Sequence, residues 1–121
     1  MSTSRIQFVA FKGRQILLVD FSKLSADEVE KTARSVPEVV TTRARASVLL
    51  LADFTGAAFD EEALRAMKEA AVFNKPYIKK SAWVGAESFP EESRWSLKAF
   101  SGREFPIFKD RAEALEWLAE D

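Results

Sequence analysis

Apolar and polar positions along the chain change period several times, and each change marks an element. "RIQFVAF" alternates around Ile6, Phe8 and Ala10, while "QILLVDF" is a continuous apolar run. Lys12-Gly13 between them predicts a tight hairpin of two antiparallel strands. In "KLSADEVEKTARSV" the spacing becomes helical, with Val29, Ala33 and Val36 on one face. Ser25 and Glu28 stand at capping-box spacing and Leu24 and Val29 at staple spacing. Pro37, which lacks an amide donor, is expected to stop or kink this helix. "SVLLLAD", residues 47–53, holds a short continuous apolar run from Val48 to Ala52, as expected of a central strand covered on both sides.

Asp60 is placed to cap a second helix with Leu64, Met67 and Ala71 inward and Phe59 and Leu64 as its staple. Asn74 and Pro76 close it. "YIKKSAWVG" predicts a strand, and residues 90–101 a helix with Gly102 as its left-handed cap. "REFPIF" predicts a further strand, placed at an edge because Pro106 cannot donate to a ladder. Asp110 and Glu113 repeat the capping-box spacing before a last helix with Ala114, Leu115 and Leu118 inward. No linker or repeat divides the chain, so residues 1–121 are expected to form one domain. The fold class is α/β: a mixed five-stranded sheet with an N-terminal antiparallel hairpin, the remaining strands mainly parallel, and about four helices over both faces.

With 121 residues, 47% of them hydrophobic and 31% charged, the chain has enough apolar surface for its own core. A formal net charge of −1 gives no broad positive field, so nucleic acid is not an expected partner. The pairs Arg43/Arg45 and Lys79/Lys80 read as solvated surface. There is no cysteine and no histidine, which removes disulfides, thiolate nucleophiles, the usual near-neutral base and the commonest metal ligand. Nucleophile-elbow and glycine-rich phosphate motifs are also missing. The expectation is a protein that is not an enzyme, with no cofactor and no metal. No charged leader with a long apolar segment opens the chain, and no apolar run approaches the roughly 18 residues of a membrane span; a cytoplasmic location is expected.

The candidate chemistry gathers at strand ends. Asp20, Asp53 and Glu87 fall at or just past the carboxyl ends of predicted strands, with Ser22, Thr55 and Ser88 close by. Open α/β sheets bind ligands at that edge, near a switch in strand order. Equally, Asp, Ser, Thr and Gly at such places make local turn hydrogen bonds. An Asp20–Asp53 magnesium site departs from the phosphoacceptor pattern because Asp20 stands alone after its strand. In "EESRWSLKAFSG", Trp95, Leu97, Ala99 and Phe100 cannot share one narrow helical stripe. Trp95 and Phe100 therefore mark a candidate interface for a partner, a second copy or a lipid-like ligand, unless the helix sits in a corner with both sides in the core. Trp83 and Trp117 are assigned to the core.

The layout, together with "LLLADFTG", "NKPYIKKSAWVG" and "SGREFPIFKDRAEALEWL", resembles the SpoIIAA-like branch of the STAS family, the anti-sigma-factor antagonists. The resemblance implies a bacterial regulatory α/β domain acting through protein contacts, with a kinase-like anti-sigma factor or a second copy as partner. Asp53-Phe54-Thr55-Gly56 matches the antagonists' strand-end motif at its first, third and fourth places, which makes Thr55 the hydroxyl that would carry phosphate. Phe54 replaces a hydroxyl residue of that motif, and three residues separate Gly56 from the cap Asp60. Asp60, Glu61 and Glu62 also fill the positive end of the helix with negative charge. The expected role of the Asp53–Gly56 loop, with Phe54 and Thr55 on it, is an exposed docking platform. Its rival is binding of a small apolar ligand, because lipid-transfer domains share a similar architecture.

Overall fold

Lys12 and Gly13 both adopt positive φ, 52° and 78°. They turn β1 (Ile6–Phe11) back onto β2 (Arg14–Asp20) in the computed structural model of the protein, which describes residues 5–102 and 105–120. β3 (Val48–Asp53), β4 (Ile78–Val84) and β5 (Ile107–Phe108) follow in parallel, and the order across the sheet is β1-β2-β3-β4-β5. The hairpin, the central β3 and the edge position of the last strand agree with the sequence pattern. Of the expected "REFPIF" strand, only Ile107 and Phe108 are in the ladder, and positions 103 and 104 lie outside the described residues.

Sequential strand order has a consequence for the helices. Each right-handed crossover steps the same way across the sheet, so α1 (Ala26–Val40), α2 (Glu61–Asn74) and α3 (Glu91–Ser101) come to one face. Their buried residues, such as Val29, Ala66 and Leu97, join Leu17, Leu50 and Trp83 in one core. Only after β5 does the chain pass to the second face, where Ala114 and Leu118 of α4 (Arg111–Ala119) cover Ile16, Leu18, Leu49 and Leu51. Strand order nowhere reverses, so the switch-point crevice expected at the carboxyl edge is absent from this sheet.

The helix signals act locally and are found where expected. Ser25 Oγ accepts from the Glu28 N–H while Glu28 accepts from the Ser25 N–H, completing the capping box. Asp60 caps α2 through the Ala63 N–H, and Asp110 caps α4 through the Glu113 N–H. There the return bond differs slightly, since Glu113 accepts from the Lys109 N–H. Gly102, at φ 69°, ends α3. Pro37 neither stops nor ends α1, which continues to Val40. Val36 and Val40 on either side of it are buried, and that packing holds the last turn despite the missing amide donor.

The largest correction concerns Phe54. It is fully buried, not part of an exposed platform. Its ring stacks on Phe21 at 4.9 Å and meets Trp83 at 4.9 Å, Phe89 at 5.5 Å and Phe59 at 5.8 Å. Trp83 is buried as expected, whereas Trp117 is half-buried, packed on Phe108 with Lys80 Nζ over its ring. Truncating a buried phenylalanine typically costs about 3–5 kcal/mol. Phe54→Ala is therefore expected to lower the urea midpoint by that free energy with little change in m-value, measured by fluorescence-monitored unfolding.

Candidate functional site

The ends of β2 and β3 carry the same four-residue turn twice. Asp20-Phe21-Ser22-Lys23 and Asp53-Phe54-Thr55-Gly56 begin at residues paired across the two strands, Asp20 with Asp53. In the first, the Ser22 N–H and Oγ–H both donate to Asp20 Oδ1, at 3.0 and 2.6 Å. In the second, the Thr55 N–H and Oγ1–H donate to Asp53 Oδ1, at 3.0 and 2.7 Å. Each turn closes through an i to i+3 bond, from Leu24 N–H to Phe21 O and from Ala57 N–H to Phe54 O. Their fourth residues are both left-handed, Lys23 at φ 60° and Gly56 at φ 70°. The Lys23 N–H donates to the Thr55 carbonyl at 2.9 Å, which ties the two turns together. A short polar side chain folding back onto its own backbone is the local bonding that Asp-Xaa-Ser/Thr sequences favour.

Gly85 supports the second turn from the neighbouring strand end. At φ 66° it lies so close to Thr55 that an added Cβ would meet the Thr55 backbone nitrogen at 2.6 Å and Cα at 2.7 Å. Only a residue without a side chain fits there. Thr55 and Gly56 are thus exposed at the tip and fixed beneath, whereas Asp53 is 5% exposed.

Two adjacent carboxylates need a counter-charge, and α4 brings it. Arg111, its first residue, donates from Nε to Asp53 Oδ2 at 2.6 Å and lies with Nη2 3.2 Å from Asp20 Oδ1. Arg5 approaches Asp20 from the other side, 3.5 Å from Oδ1, and donates to the Ser22 carbonyl at 2.9 Å. Partial burial opposes the charged form of Asp20, but the Ser22 hydroxyl and amide and the charges of Arg111 and Arg5 outweigh it, so its carboxyl titrates below the ordinary value. For Arg111, burial is likewise outweighed by the Asp53 and Asp20 carboxylates, which push the guanidinium above its usual range.

Of the other candidate residues, Glu87 is exposed in a single 3-10 turn after β4 and takes no part in this cluster. Ser88 and Phe100 lie in described backbone, but their side chains lie outside the described residues. Trp95 projects from α3 at 71% exposure. Among the described residues, no three acidic, histidine or cysteine side chains group as a metal site. Between the sheet and the α1–α3 layer lies an apolar cavity of about 40 Å³, bordered by Val36, Leu50, Met67, Trp83 and Leu97. Asn74, 4% exposed, is on its wall, and Asn74 Oδ1 accepts no hydrogen bond among the described residues.

Sequence reasoning missed Arg111 and the duplicated turn. The signal for the turn was visible as Asp-Phe-Ser and Asp-Phe-Thr after two apolar runs. No local signal marks Arg111, which meets Asp53 across 58 positions of sequence.

An antiparallel hairpin opening a parallel sheet, three helices on one face and one on the other, defines an α/β sandwich of the STAS type. The chain belongs to the SpoIIAA-like family, whose profile matches residues 17–119. Its fold is also that of an uncharacterised protein with a SpoIIAA-like fold from Shewanella loihica PV-4. The two are 19% identical with a TM-score of 0.71, covering 94% of this chain and 92% of the other. None of the curated proteins compared matches the chain. Domains of this family are generally regulatory rather than enzymatic and typically interact with proteins. Among the described residues, no helix is long and apolar enough to cross a membrane.

The shift at Asp20 sets a pH dependence. A carboxyl whose folded value lies below the ordinary 3.8 contributes stability that is complete above that value and is lost as pH falls through the lower folded value. Wild-type stability is expected to drop below about pH 4 more steeply than that of Asp20→Asn, read from urea unfolding between pH 2.5 and 6. Arg111→Ala, which strands the buried Asp53, is expected to cost about 1.5–3 kcal/mol at neutral pH, the range for hydrogen bonds to charged groups.

Proposed function

We propose that this protein is a non-enzymatic regulatory domain that acts by binding a protein partner through the twin-turn face, with Thr55 as the hydroxyl at which that contact is switched. The observation that carries this reading is the held orientation of Thr55. Its hydroxyl donates to Asp53 Oδ1, 2.7 Å away, on a residue that is itself exposed at the tip of the turn, so the side chain is held in one orientation where a partner can reach it. A partner kinase of the anti-sigma-factor kind would transfer the γ-phosphoryl group of a nucleoside triphosphate: the Oγ1–P bond forms as the bond from the γ-phosphorus to the bridging oxygen breaks, the hydroxyl proton passes to solvent, and nucleoside diphosphate leaves. Phosphorylation removes the hydrogen bond to Asp53 and sets a second anion beside it, which pries the turn open. Lys23 and Ser22, on the adjoining turn, complete the recognised surface.

The expected outcome is phosphate on Thr55, mapped by mass spectrometry after incubation with the kinase encoded alongside the protein, and none on Thr55→Val. Thr55→Glu is expected to weaken binding to that partner at least tenfold, measured by calorimetry. Modification confined to other residues, or binding indifferent to Thr55→Glu, rejects this reading.

A second reading is favoured by Asn74. An unpartnered buried carbonyl oxygen costs about 1–3 kcal/mol, and an apolar wall with one acceptor is a poor water site, since buried waters usually hold about three bonds. A small apolar molecule carrying one hydrogen-bond donor suits the cavity better. At about 40 Å³, the cavity is far below the roughly 300–1,000 Å³ of drug-sized pockets, so a lipid tail requires the helices to part. Native mass spectrometry of protein from its own source is expected to show a retained ligand that Asn74→Leu loses. A bare polypeptide mass for both ends this reading.

A further inference from the structure

The largest mismatch between side chain and surroundings lies on the outer side of α3. Trp95 is 71% exposed and Ile107 47% exposed, and both line one open groove of about 390 Å³ with Pro106 and Arg94. Of the described side chains of α3, Leu97 alone is buried, so the helix keeps one flank on the core and presents the other. β5, beside the groove, is two residues long and preceded by Pro106, a poor template for an added strand. The groove suits a side-chain surface instead.

We propose that this face joins two copies of the chain, with their α3 helices antiparallel about a two-fold axis at Trp95. The argument is charge complementarity. The exposed flank carries acids in its first turn, Glu91 and Glu92, and a base, Lys98, in its last. An antiparallel copy places the residue three before Trp95 against the residue three after it, which sets Glu92 of each helix against Lys98 of the other. The helix dipoles oppose favourably in the same arrangement. A strongly acidic or strongly basic partner would meet a like charge at one end of this flank; a second copy meets opposite charge at both. At the centre, each Trp95 enters the other copy's groove beside Pro106 and Ile107, a large aromatic in the middle of a contact with charges at its rim. A two-fold interface of this kind is self-complementary and closes at two copies.

This contact uses no residue of the twin turns, so its test is separate from that of Thr55. Sedimentation velocity from low micromolar to near-millimolar protein is expected to show a monomer–dimer equilibrium. Trp95→Ala, on an exposed site and with unchanged circular dichroism, is expected to weaken dimerisation at least tenfold. Glu92→Lys should also weaken it, and the double variant Glu92→Lys/Lys98→Glu should restore it. A monomer at every concentration, or a dimer indifferent to Trp95→Ala and Glu92→Lys, overturns the proposal.

Discussion

Two carboxylates held side by side at the ends of adjacent strands are the constraint around which this molecule is arranged. Neighbouring strands run about 4.8 Å apart, so uncompensated charges on Asp20 and Asp53 would repel by roughly 3 kcal/mol at an effective dielectric of about 20. Arg111 converts that repulsion into a bridge. It can do so only if α4 starts over this edge of the second sheet face. The helix that closes the second core is thus positioned by apolar contacts at Ala114 and Leu118 and by an ion pair at its first residue. Loss of either would loosen the start of α4 from the ends of β2 and β3, which their own backbone ladder still joins.

The fold was largely legible in the sequence because its signals are short-ranged: capping at Ser25, Asp60 and Asp110, the Lys12-Gly13 hairpin, and the apolar run of β3 from Val48 to Ala52. What escaped was of two kinds. Phe54 is expected at the surface as part of the Asp53–Gly56 docking loop, yet the period of two runs on past the strand's end. Val48, Leu50, Ala52 and Phe54 share the face that α1–α3 cover, while Leu49, Leu51 and Asp53 share the other. Counting parity one residue further would have put Phe21 and Phe54 in the core together and both aspartates under whatever covers the second face. Arg111 could not be found this way, because its partner is fixed by where the chain returns after β5 and not by any neighbour in sequence. Pro37 failed as a stop signal for a related reason, since burial of Val36 and Val40 outweighs a local preference.

The twin turns also explain how a hydroxyl can be exposed without being mobile. Lys23 adopts at the first turn the left-handed conformation that Gly56 adopts freely at the second, and a side chain in that region is disfavoured unless surrounding bonds hold it. Here they do, through Thr55 O and Phe21 O. The close bonding at this edge contrasts with the wall of the cavity, where Asn74 Oδ1 has no hydrogen-bond partner among the described residues.

Modification at such a turn has a definite energetic direction. The bond from Thr55 Oγ1 to a carboxylate belongs to the charged class, worth about 1.5–3 kcal/mol, and a phosphate on that oxygen both removes it and adds repulsion from Asp53. Arg111 is the cation already bound to Asp53, and it is partly exposed. A phosphate competing for its guanidinium would draw it from the carboxylates and loosen the start of α4. A change at one loop would then reach the second face of the sheet through a single side chain. Because Asp20 and Asp53 share that side chain, the two strand ends would respond together.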